Sequence, residues 1–110
     1  MHTINGHDIT LTRGDTLMLQ LVLKRGDEDY QPSEGDVIRF ALKRFYRDPD
    51  TAVKIVKNIP TDTLVLELKP SDTKTLAMGT TYVYDIQLTD ADGNVDTFAS
   101  GNFTIGQEVL

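Results

Sequence analysis

With 110 residues the chain has the length of one domain with one hydrophobic core, so a single unit over residues 1–110 is expected. Its apolar share of 39% and charged share of 25% are those of a globular protein, and the absence of cysteine excludes disulfides, thiol catalysis and thiolate metal sites. A net charge of -6 argues against a sequence-independent grip on nucleic acid or anionic lipid, because both need clustered Lys and Arg.

The N-terminal MHTINGHDIT has no basic start followed by an apolar run, and no apolar stretch is long enough to span a bilayer. Neither export by signal peptide nor membrane embedding is expected. Ile9 to Thr12 reads as a short strand. The strongest periodic signal follows at Thr16 to Lys24, where Leu17, Leu19, Leu21 and Leu23 alternate with Met18, Gln20, Val22 and Lys24. That two-residue period is a strand with a leucine face turned to the core. Val37 to Arg44 repeats it, with Ile38, Phe40 and Leu42 on one side. A short strand is expected over Val53 to Lys57, and another carries Leu64, Leu66 and Leu68.

Pro70 to Met78 is the single helix-like stretch, a turn that Ser71 or Asp72 caps and Gly79 ends. Tyr82, Tyr84, Ile86 and Leu88 then mark a long strand, and Thr97, Ala99, Gly101, Phe103 and Ile105 a last one in which Gly101 is expected to mark a bulge. Gly, Pro, Asp and Asn clusters separate these runs, notably Arg13-Gly14-Asp15, Arg25-Gly26-Asp27, Glu34-Gly35-Asp36, Asp48-Pro49-Asp50 and Asp92-Gly93-Asn94. About seven strands so spaced predict an all-β fold, an immunoglobulin-like antiparallel β-sandwich with one short helical turn. Leu68, Pro70, Leu76 and Gly79 lead into Tyr82 and Tyr84 in the manner of a tyrosine corner, in which one of the two hydroxyls bonds upstream backbone.

Motifs that carry chemistry are few. The two Arg-Gly-Asp triplets fall where hairpins turn, and turn chemistry accounts for them. The run DADGN, with Asp90, Asp92 and Asn94, begins like a calcium loop, but the bidentate Glu required six residues after its Gly is replaced by Ala99. A plain turn is favoured, with a weak calcium site as the alternative. His2 and His7 lack a third metal ligand. No acidic pair stands out by spacing, and Ser33, Ser71 and Ser100 have no nucleophile-elbow context. No catalytic residue, cofactor site or metal site is assigned, and an enzyme is not expected.

Asp85 stands out because Asp is depleted within strands and this one lies mid-strand, on the face of Val83, Gln87 and Thr89. One reading is a cross-strand ion pair with Arg39 or Lys43; the other makes Asp85 part of a docking surface. Met18 and Val22 place apolar bulk opposite the leucine row, Val53, Ile55, Val56 and Ile59 form a second apolar stretch, and Val109 and Leu110 finish the chain. Met18, Val22, Arg39, Lys43 and Asp85 are thus the candidate protein-contact residues, with the chain ends beside them.

Four blocks, Gly14-Asp15-Thr16, Gly35-Asp36-Val37-Ile38, Tyr82-Val83-Tyr84-Asp85-Ile86 and Gly101-Asn102-Phe103-Thr104-Ile105, follow one another over most of the chain. In order and spacing the sequence resembles the N-terminal domain of bacteriophage upper baseplate and tail-fibre attachment proteins. The resemblance implies an immunoglobulin-like module of a phage or prophage tail that docks a receptor-binding or fibre assembly onto the baseplate. Implied partners are other virion proteins or a second copy of the chain, in the virion tail or in the host cytoplasm during assembly. Larger members continue into a linker and stalk, whereas this sequence stops at Leu110, either because it was cut there or because it is a stand-alone relative. The alternative function is a carbohydrate-binding or adhesion module using Tyr30, Phe45, Tyr46 and Phe98.

Overall fold

The computed structural model describes residues 2–5, as backbone, and 7–107. Its strands are β1 (His2–Asn5), β2 (Asp8–Thr12), β3 (Leu17–Gln20), β4 (Lys24–Arg25), β5 (Glu28–Asp29), β6 (Val37–Lys43), β7 (Ile55–Ile59), β8 (Val65–Leu68), β9 (Thr81–Thr89) and β10 (Val95–Gly106). A 3-10 turn at Asp50–Ala52 precedes β7, and the one-turn helix α1 (Pro70–Thr73) follows β8. Six strands form one sheet in the order β1-β2-β10-β9-β6-β7, β3 pairs with β8 in a second, and β4 and β5 make a small hairpin. The protein is all-β and sandwich-like.

Side-chain alternation decides which face meets the other sheet. On β6, Ile38, Phe40 and Leu42 are buried and Arg39 points away; on β9, Tyr82, Tyr84, Ile86 and Leu88 are buried while Val83, Asp85 and Gln87 lie on the opposite side. Leu17, Leu23, Leu66 and Leu68 close the core from the β3–β8 side. At its centre the rings of Phe40, Tyr84 and Phe103 stand 5.6 to 6.4 Å apart, within the range of favourable tilted and edge-on aromatic pairs.

Several expectations need correction. The leucine strand does not run unbroken from Thr16 to Lys24: β3 ends at Gln20, and one further bond, from the Leu21 N–H to the Leu64 carbonyl at 2.8 Å, follows it. Leu64, just ahead of β8, has φ of 54°, a conformation costly for a bulky residue, and its N–H bonds the Pro60 carbonyl at 2.9 Å. The leucine row survives nonetheless, with Leu17 and Leu23 buried and Leu19 and Leu21 packed against the core. The pairing is also not wholly antiparallel. β2 runs parallel to β10, Phe103 opposite Ile9 and Ile105 opposite Leu11, bringing together segments from opposite ends of the described chain. Finally, β7 starts two residues later than expected, since Val53 closes the 3-10 turn by donating its N–H to Asp50 O at 3.2 Å.

The bulge of β10 falls between Thr97 and Ala99, at Phe98, and not at Gly101, which stays in register with Tyr84. Gly101 answers a different demand, because a Cβ there would sit 2.5 Å from the His7 carbonyl oxygen. Of the two candidate corner tyrosines, Tyr82 makes the local bond, its hydroxyl oxygen accepting the Ala77 N–H at 3.0 Å. Tyr84 donates instead to the His7 carbonyl, 77 residues upstream.

The helical turn closes after Thr73, with no side-chain bond from Ser71; the Asp72 carboxylate accepts the Lys69 N–H at 2.8 Å and pairs with Lys57 at 3.0 Å. Val109, Leu110 and the side chain of His2 lie outside the described residues.

Candidate functional site: the outer face of the six-stranded sheet

Register converts the outward residues of β7, β6, β9 and β10 into rows across the sheet. Asn58, Arg39, Gln87 and Thr97 form one row, Val56, Ala41, Asp85 and Ser100 the next, and Lys43, Val83 and Asn102 a third. Rows lie about 7 Å apart, two residues along a strand. The middle row is built of short side chains between longer neighbours, so the sheet surface dips there. The result is an open groove of about 340 Å³ with Arg39 and Gln87 at one end and Lys43, Tyr46 and Asp50 at the other. Val53, Val56 and Val83 supply its apolar walls.

Arg39, Lys43 and Asp85 therefore converge on one groove, but the ion pair expected between them is not formed. Lys43 turns to the loop after β6, where its ammonium donates to Asp50 Oδ1 at 2.8 Å and to the Asp48 carbonyl at 3.1 Å. Asp50 is held below the usual carboxylate range by that hydrogen bond and by the charge of Lys43. Arg39 makes no ion pair among the described residues. Asp85 is half-buried, and its one side-chain bond is from Gln87 Nε2 at 3.3 Å, leaving most of its acceptor sites open. Burial pushes its carboxyl above the ordinary value, against the opposing hydrogen bond of Gln87 and the nearby charge of Lys43.

The loop closing this end of the groove carries a second feature that sequence reading treated only as exposed aromatics. The guanidinium of Arg44 stands 4.4 Å from the centre of the Phe45 ring and that of Arg47 5.2 Å from it. Phe45 remains 43% exposed and Tyr46 61%. Arg44 is anchored by a 2.5 Å bond to the Thr81 carbonyl, and the Asp48 carboxylate accepts the Phe45 N–H at 3.1 Å. Tyr46 reaches across the groove to Gly101 O at 3.4 Å. The sequence signal was the interleaving of aromatic and basic residues in Lys43-Arg44-Phe45-Tyr46-Arg47.

Met18 and Val22, 57% and 65% exposed, belong to the β3 side of the molecule and do not join the groove. Met18 faces Glu67 across the β3–β8 pair, and Val22 borders a shallow depression with Leu21, Tyr30 and Leu64. Tyr30 and Phe98 are half-buried and pack on each other at 5.7 Å beneath Arg25, which also pairs with Asp96 at 2.5 Å. This contact ties the residue after the β4–β5 hairpin to β10 and leaves both rings only partly exposed.

In the DADGN loop the Asp90 carboxylate is occupied by its own turn, accepting the N–H groups of Asp92 and Asn94 at 2.9 Å each. The backbone and side-chain bonds from Asn94 lower its pKa. Among the described residues no group of three or more His, Asp or Glu could hold a metal ion, and no helix is long and apolar enough to cross a membrane. Comparison of the chain with protein-family models, with curated proteins and with solved structures gives no match.

Proposed function

We propose that this chain is a phage or prophage-derived structural module, an immunoglobulin-like domain that attaches a receptor-binding or fibre assembly to the tail baseplate through protein–protein contacts. Its role is attachment rather than catalysis, and its partners are other virion proteins or a second copy of itself. The observation that carries this reading is the outer face of the six-stranded sheet, where Arg39 and the half-buried Asp85 form no ion pair among the described residues. A half-buried carboxylate with open acceptor sites destabilises a free domain and is accommodated when a partner supplies donors. The order of the Gly-Asp and Tyr-x-Tyr-Asp-Ile blocks along the sequence supports the phage assignment.

The test is reconstitution with the tail proteins encoded beside this chain's gene, followed by light scattering. A complex of defined mass is expected, weakened at least tenfold by Arg39→Glu or Asp85→Lys, a loss of about 1.4 kcal/mol or more. A strict monomer that binds none of those proteins overturns the proposal.

A second reading, a carbohydrate-binding module, is favoured by one arrangement: the exposed Tyr46 ring at the groove rim beside Asp85, Gln87 and Arg39. Binding on a glycan array that Tyr46→Ala abolishes would replace the first reading with this one.

A further inference from the structure

We infer that the loop Arg44–Arg47, continued by Arg39 in the groove, is the docking point for an acidic segment of a partner protein. The inference rests on the protein-contact reading above and specifies the chemistry of the partner.

Charge distribution is the first ground. The chain carries -6 overall, yet Lys43, Arg44 and Arg47, three of its eleven cationic residues, fall within five positions. Of the carboxylates beside them, Asp50 offsets the Lys43 ammonium and Asp48 keeps its charge while accepting the Phe45 N–H, so residues 39–50 still sum to +2, four cations against two carboxylates. Arg39, Arg44 and Arg47 form no ion pair among the described residues, as is also true of Arg13, Lys54 and Lys74, but at this loop two unpaired guanidinium groups stand against one exposed ring. An isolated cationic patch on an acidic protein is complementary to a discrete run of Asp or Glu.

Geometry is the second. A guanidinium stacked over a ring uses its face and keeps its edge N–H donors for bidentate pairing with a carboxylate. Arg47 is such a group, Arg44 donates from Nη1 to the Thr81 carbonyl and keeps its remaining donors, and the exposed rings of Phe45 and Tyr46 add apolar area of the kind that anchors protein interfaces. The turn is fixed before any partner arrives. Asp48 donates its N–H to the Phe45 carbonyl at 3.1 Å and returns a carboxylate bond to the Phe45 N–H, while Arg44 is tied to the first residue of β9. Little ordering entropy is then lost on docking.

A long polyanion such as nucleic acid fits less well. It would extend past the three arginines onto a surface whose summed charge repels it.

The experiment is selection of a random dodecapeptide library on the immobilised, folded chain, followed by titration of one selected peptide into nitrogen-15-labelled protein. Selected peptides are expected to be enriched in Asp and Glu beside an apolar residue. The shifted amides should lie at Arg39 and along residues 43–48. Binding should weaken in high salt and fall about tenfold or more in Arg47→Glu, with the thermal midpoint unchanged. Phe45→Ser should weaken it independently of salt.

Selected peptides without acidic excess, a library that returns no binder, or shifts centred on Met18 and Val22 overturn the inference. The last of these leaves the protein-contact reading standing. Titration with an oligothymidylate that shifts the loop more tightly than any peptide overturns both.

Discussion

The two sheets share one core and turn very different faces to solvent. The β3–β8 side exposes Met18 on β3 and Val22 two residues beyond its end, with polar neighbours such as Gln20 and Glu67, as scattered surface hydrophobes normally stand. The six-stranded sheet instead gathers Arg39, Asp85 and Gln87 with small apolar side chains into a groove, and borders it with a loop whose arginines stack on Phe45. Exposed apolar area alone is therefore a poor guide to a contact surface. Charged groups whose partners are missing, on a face shaped by short side chains, discriminate better.

The largest expected effect tests whether the groove rests on a well-packed floor. Phe103→Ala removes a fully buried ring that meets both Phe40 and Tyr84, directly beneath the outer face. A loss of about 3 to 5 kcal/mol in urea unfolding is expected. Next comes Gly101→Ala, which pushes a Cβ against the His7 carbonyl where backbone cannot easily yield. It should cost about 1 to 3 kcal/mol, and a neutral result would show that the β1–β2 turn is not pressed onto β10.

The smallest effect separates the two faces by pH. Burial holds the Asp85 carboxyl above its ordinary value, so its contribution to folding is favourable below the ordinary carboxylate range and is lost as pH rises through the folded value. Asp85→Asn should thus be slightly more stable than the parent at neutral pH, the gap closing as pH falls into the acid range. Urea unfolding at neutral and acid pH measures it. The same comparison for Val22→Ser should show no pH-dependent gap, since no titrating group is changed.

Much of this architecture was legible in alternating residues. The inward rows of β6, β9 and β8 and the leucine row of β3 follow from period two, and Asp85 announced itself as an acid in the middle of a strand. What escaped was non-local. The parallel pairing of β2 with β10 joins segments some ninety residues apart and leaves no turn signal between them. The leucine strand stops at Gln20 beside the left-handed Leu64 that precedes β8, whose carbonyl accepts the Leu21 N–H at 2.8 Å, a feature of the partner segment that the period-two pattern does not carry.

The Asp85 ion pair failed for a similar reason: Asp50, brought in by the loop after β6, takes Lys43 first. Phe45 and Tyr46 were visible as exposed aromatics, while the stacking of Arg44 and Arg47 on a single ring needed the fold of the loop.

The most direct test of the central claim sets the two faces against each other in one binding assay. Arg39→Glu and Met18→Glu variants, each confirmed folded, are titrated against the partner recovered in the reconstitution proposed above. Loss of affinity of about tenfold or more in Arg39→Glu, with Met18→Glu matching the parent, is the predicted result. The reverse pattern would contradict the account and move the contact surface to the β3–β8 side.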